Sequence, residues 1–135
     1  MKALSAFGRK ILFDWVWVAF GGAVGSVLRY GAGGAVQRWN GSDWPLGTLA
    51  VNIAGSFIIG WLAQLILARG IMSPQARLFV MVGLLGGFTT FSTFSLETLR
   101  LIQQGGWAPA VANVALSVVG GLFAAWAGFA ISSSL

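Results

Sequence analysis

Of the 135 residues, 57% are hydrophobic and 8% charged, against about 25% charged in soluble domains, so the chain reads as an integral membrane protein. The absence of histidine and cysteine, with only Asp14, Asp43 and Glu97 as carboxylates, leaves acid–base catalysis, disulfides and thiolate metal sites without groups, and no enzyme is expected. The net charge of +5 comes from Lys and Arg scattered at segment ends, which make no patch for nucleic acid.

A hydrocarbon core needs about 20 apolar residues per helix. The first such segment runs near 15–37 and carries one charge, Arg29. Lys2, Arg9 and Lys10 ahead of it resemble a signal n-region, but the apolar run continues to spanning length with no small-residue cleavage site, so the segment reads as retained. Gly21, Gly25, Arg29 and Gly33 recur every fourth residue. The glycines suit close helix packing. Arg29 fits two readings: drawing an anion into a vestibule, or snorkelling to the interface.

The second span, near 46–68, is uncharged and follows Pro45. Thr48, Asn52, Ser56, Gly60 and Gln64 form one i+4 row on it. That row fits a packing seam of small and polar residues. It also fits a polar track centred on Asn52, whose amide offers two uncharged N–H donors.

The third span, near 77–101, holds the most informative stretch: Gly86-Gly87-Phe88-Thr89-Thr90-Phe91-Ser92-Thr93-Phe94. Paired glycines loosen a helix, and non-helical backbone inside a membrane is tolerated only where protein or a polar cavity satisfies it. A break is therefore expected here, with Gly86 through Thr89 turning free carbonyls toward a cation as discontinuous membrane helices do. Phe91 and Phe94 lie three apart and project to similar sides. Their positive ring edges suit a small anion, and Thr90 and Thr93 add hydroxyl donors. Donors for an anion beside acceptors for a cation point to an ion conductor.

The fourth span, near 107–131, carries Asn113, Ser117 and Gly121 at i+4, a possible facing wall for the other tracks. The expected fold is all-α, one domain of four transmembrane helices with a break in the third. Lys2, Arg9, Lys10, Arg69 and Arg77 fall on one side, and Arg38, Arg100 and Arg29 on the other. So small a bias lets a chain insert either way. Four helices also enclose little volume, so an antiparallel dual-topology homodimer is expected.

Three elements resemble the Fluc (CrcB) family of fluoride channels, and the likeness spans essentially the whole chain. They are Gly21-Gly22-Ala23-Val24-Gly25-Ser26-Val27-Leu28-Arg29-Tyr30, Pro45-Leu46-Gly47-Thr48-Leu49-Ala50-Val51-Asn52, and the third-span run from Gly86 to Ser95. The resemblance implies a multi-pass protein of the bacterial plasma (inner) membrane that passively exports fluoride through two pathways per homodimer. It implies a structural sodium ion held by main-chain carbonyls of Gly86 and Thr89 from each copy. Phe91 and Phe94 correspond to an aromatic box contacting fluoride, Asn52 to a donor near mid-pathway, and Ser117 fits the polar track on the fourth helix, with Thr90 and Thr93 as the pathway hydroxyls read above. Arg29 corresponds to the family's first-helix arginine and Glu97 to an acidic residue beyond the phenylalanine motif, both candidates for a vestibule. Asn113 stands where many relatives carry tyrosine, which leaves its membership of the track open. Two other classes fit the composition: a proton-coupled efflux transporter like the small multidrug resistance proteins, and a membrane scaffold without transport. The first lacks its glutamate deep in the first helix. The second leaves the third-span motif without a purpose.

Overall fold

The computed structural model describes the backbone of residues 2–134 and the side chains of residues 13–134. The described chain is all-helical: α1 (Lys2–Asn40), α2 (Leu46–Arg69), α3 (Pro74–Arg77), a π-helical stretch (Leu78–Leu85), α4 (Gly86–Phe88), α5 (Phe91–Gln103) and α6 (Trp107–Ser133). Among the described residues, three helical spans are long and apolar enough to cross a membrane: Leu46–Arg69, Pro74–Gln103 taken across its interruption, and Trp107–Ser133. They coincide closely with the second, third and fourth predicted spans. The first predicted span lies within α1. Lys2, Arg9 and Lys10, which entered the charge count, have side chains outside the described residues.

The connections are short and chemically specified. Gln37 folds the loop after α1: its Nε2 donates to the Ser42 and Trp44 carbonyls, and its Oε1 accepts from the Gly47 N–H at 3.0 Å. That last bond satisfies one of the orphan donors at the start of α2. Gly70 ends α2 with φ of 59°, a left-handed cap that glycine adopts without steric cost. The Ser73 side chain caps α3 by accepting from the Ala76 N–H, and Pro74 follows it where no N–H is needed.

Backbone contact between glycines sets the packing. A Cβ at Gly21 would fall on the Phe79 carbonyl and one at Gly25 on the Leu84 carbonyl. Gly83 and Gly87 meet the backbone of Val18 and Gly22 in return. So the i+4 glycines of α1 are a packing seam, as expected: Gly21 and Gly25 meet the first half of the third span, and Gly33 meets Gly47 of α2. A second seam joins α2 to α6, where Gly60 lies on the Ala125 carbonyl and Gly128 on that of Phe57. In lipid, where apolar burial gives little drive, close backbone approach of this kind holds helices together.

The third span is interrupted, but not at its glycines. Gly86 and Gly87 stay helical, and the chain leaves the helix at Thr89 (φ −91°, ψ 160°) and Thr90 (φ −153°, ψ 120°). Gly87 is committed to its contact with Gly22, which fixes it in the helix. The β-branched threonines accept extended backbone readily. The π-helical stretch before the break was not expected; such widened turns recur at functional sites.

Candidate functional site

The interruption frees polar backbone groups, and surrounding side chains take up three of them. In an unbroken helix the carbonyls of residues 86–89 would accept from the N–H groups of residues 90–93. Here the Thr90 N–H donates to Asn52 Oδ1 at 2.7 Å, and Asn52 Nδ2 donates to the Thr90 carbonyl at 3.0 Å. Asn52 thus clasps both backbone groups of one extended residue. Arg29 Nε donates to the Gly87 carbonyl at 3.0 Å. The Thr90 hydroxyl accepts from the Thr93 N–H at 3.2 Å, capping α5, and donates to Thr93 Oγ1 at 3.0 Å. Among the described residues nothing donates to the carbonyls of Gly86 and Thr89. Both residues line an open groove, and a Cβ on Gly86 would meet no neighbour within 4 Å.

That groove collects most of the predicted site. Gly86, Thr89, Thr90, Phe91 and Phe94 form one wall, Asn52 and Ser56 of α2 a second, and Ser117 and Gly121 of α6 the third. The polar rows of α2 and α6 therefore face the break together. Phe91 and Phe94 have ring centroids 5.3 Å apart and planes inclined at 53°, so an edge of one is turned toward the other. Phe91 is 76% exposed while Phe94 is 8% exposed, which puts Phe91 at the mouth and Phe94 at the root. Asn52 keeps one N–H beyond its clasp. Ser56 and Ser117 make no hydrogen bond among the described residues, so their hydroxyls remain available.

Arg29, Thr93 and Glu97 lie in a second groove with Thr48, and Thr90 borders both. Thr48 Oγ1 donates to Glu97 Oε1 at 2.8 Å, and Oε2 is buried without a partner among the described residues. The Thr93 hydroxyl, which accepts from Thr90, has its own proton free. Gln37, Arg38 and Glu97 continue into a third, polar groove with Arg100 at the end of α5. Neither reading of the α2 row was complete alone. Thr48 and Asn52 hold the third span by hydrogen bonds, Ser56 opens to the groove, and Gly60 packs on α6.

Arg29 does not simply snorkel, because its guanidinium is tied to the broken helix. Asn113 is turned away from all three grooves, with Nδ2 donating to Thr98 Oγ1 at 2.9 Å. Thr98 itself was missed in the sequence, although its place four residues after Phe94 was a legible signal. The pairing of Arg29 with Gly87 had none, since the two lie 58 positions apart.

The sequence profile of a family described as CrcB-like protein, Camphor Resistance (CrcB), matches residues 16–129. A fluoride-specific ion channel FluC of Methylocella silvestris is 44% identical over 124 residues, covering 90% of this chain and 95% of the relative. One from Magnetococcus marinus is 51% identical over 116 residues, 85% of this chain and 94% of the relative. One from Thermus thermophilus is 48% identical over 121 residues, 90% and 96% respectively.

The clasp at Thr90 predicts that Asn52→Leu, which leaves the part-buried Thr90 N–H unpaired and removes a second bond to the Thr90 carbonyl, destabilises the protein by about 1–3 kcal/mol. The effect should appear as a lower thermal midpoint in detergent and faster hydrogen exchange at the Thr90 amide. An unchanged midpoint with a protected Thr90 amide would remove Asn52 from that role.

Proposed function

This chain belongs to the CrcB family, and from that premise we propose that it is a fluoride-specific ion channel, letting fluoride leave the cytoplasm passively across the bacterial plasma membrane. The observation that carries the reading is the groove at the break, where uncharged donors and tilted aromatic edges converge beside unpaired carbonyls. Fluoride is small and strongly hydrated, so its transfer requires substitutes for water rather than a hole. The free N–H of Asn52, the hydroxyls of Ser56 and Ser117 and the edges of Phe91 and Phe94 are substitutes of moderate strength. Each is neutral, so the anion is stabilised without being trapped. Arg29 and the Thr93 hydroxyl flank Thr90 on the other side and favour an anion approaching from the second groove, while Glu97 is held back by Thr48.

The functional unit of this reading is an antiparallel homodimer inserted in both orientations, with all four predicted spans, α1 included, crossing the bilayer. Support comes from the open side of the groove: a 76% exposed Phe91 at its mouth is suited to a facing wall from a second copy. Two copies related by a two-fold axis would form two such pathways. The Gly86 and Thr89 carbonyls of each copy fit a sodium ion at that axis, being neutral oxygen donors freed by the break and otherwise unpartnered. A sodium ion there supplies a stationary positive charge in a low-dielectric setting. Arg29, by occupying the Gly87 carbonyl, keeps that neighbouring acceptor out of the set. Proton-coupled drug efflux gains no support, because Glu97 lies toward the end of the third span and is already engaged by Thr48.

Two measurements on purified protein test this reading. In vesicles, Phe91→Ile and Phe94→Ile should each abolish fluoride efflux while the dimer still assembles; efflux at the parent rate in both would count decisively against the aromatic box. Exchange of sodium for a large organic cation during purification should lower the dimer's thermal midpoint, and cysteines placed in one loop should label from both sides of the membrane. A midpoint indifferent to sodium would remove the ion, and labelling from one side only would remove the dual topology.

A further inference from the structure

Asn113 is a predicted candidate that the grooves leave without a task. It is 1% exposed, the most deeply buried large side chain among the described residues, and a polar group so buried is retained when it is hydrogen-bonded. Its Nδ2 donates to Thr98 Oγ1 at 2.9 Å, and the same hydroxyl donates its single proton to the Phe94 carbonyl at 2.8 Å. A directed relay therefore runs from α6, through Thr98, to the backbone of Phe94. A threonine hydroxyl returned to the carbonyl four residues earlier tends to bend a helix. Here that hydroxyl is also anchored from outside α5, because it accepts from Asn113. Phe94 is the buried member of the aromatic pair, so the tilt of the first turns of α5 decides how its ring edge meets the groove. Ser117, one turn further along α6, is open to that groove; Asn113 is not among its lining residues.

We infer that Asn113 is a positioning residue for Phe94: acting through Thr98, it fixes the start of α5 against α6 and with it the angle of the ring at the root of the groove. It is not itself an anion donor. The inference rests on the reading that Phe94 meets the transported anion.

The test compares the parent protein with Asn113→Leu, Thr98→Val, Thr98→Ser and the Asn113→Leu/Thr98→Val double variant. Each is purified with 4-fluorophenylalanine at position 94, and both the fluorine resonance of that ring and fluoride efflux from vesicles are measured. Asn113→Leu and Thr98→Val should each displace the resonance and slow efflux roughly fivefold, the equivalent of one ordinary hydrogen bond. Thr98→Ser, which keeps the hydroxyl, should retain the parent resonance and rate. The double variant should be no slower than the slower single one, because both remove the same relay. Efflux slowed by Asn113→Leu with the resonance unmoved would make Asn113 a pathway donor and overturn the inference, as would parent-like behaviour of both single variants. Should Asn113→Leu fail to reconstitute, Thr98→Val against Thr98→Ser decides alone: a resonance that does not distinguish them refutes the relay. A resonance that moves as expected in a protein passing no fluoride would uphold the positioning and overturn the transport reading instead.

Discussion

A helix cannot be opened inside hydrocarbon unless something else takes up the hydrogen bonds it gives up, because each unsatisfied backbone group there costs several kcal/mol. That constraint organises the molecule. At Thr89 and Thr90 the third span surrenders its ladder, and side chains from two other helices replace part of it. Asn52 takes the N–H and C=O of Thr90, and Arg29 takes the carbonyl of Gly87. Among the groups left without a partner within the described residues are the carbonyls of Gly86 and Thr89, two residues that line an open groove. The break is thus a defined polar feature, with some groups closed by the subunit and others presented outward.

The glycine seams serve the same end. Arg29 can reach Gly87 because Gly21 and Gly25 bring α1 into backbone contact with the π-helical stretch, where any side chain would collide with a carbonyl. Asn52 reaches Thr90 because Gly55, one turn along α2, accepts the Thr89 methyl group where a Cβ would stand. Small residues therefore set the distances over which the polar clasps operate. Packing and chemistry are properties of the same helix faces, so the i+4 row of α2 carries both.

The sequence disclosed the helical class, the bounds of three spans to within a few residues and the existence of the interruption. Those features rest on local signals: apolar runs, caps and a cluster of hydroxyls inside a long hydrophobic segment. The groove's main lining was legible as well, because i+4 rows on α2 and α6 specify faces. Long-range partnerships were not. Nothing local links Arg29 to Gly87 or Thr48 to Glu97, and the glycine pair drew attention to the wrong residues for the break. Gly87 is held in the helix by its contact with α1, a tertiary demand that overrides its intrinsic flexibility. The threonines yield instead. Asn113 was placed on a face by its spacing, but only packing reveals that it points at Thr98 rather than into the groove.

The most direct test of this account is a backbone assignment by solid-state nuclear magnetic resonance of the protein in a lipid bilayer. Carbon chemical shifts should be helical through residues 78–88 and 91–103, with extended values at Thr89 and Thr90 alone. Helical shifts running unbroken through Thr89 and Thr90 would contradict it, since the freed carbonyls, the Asn52 clasp and the groove they define would then have no origin.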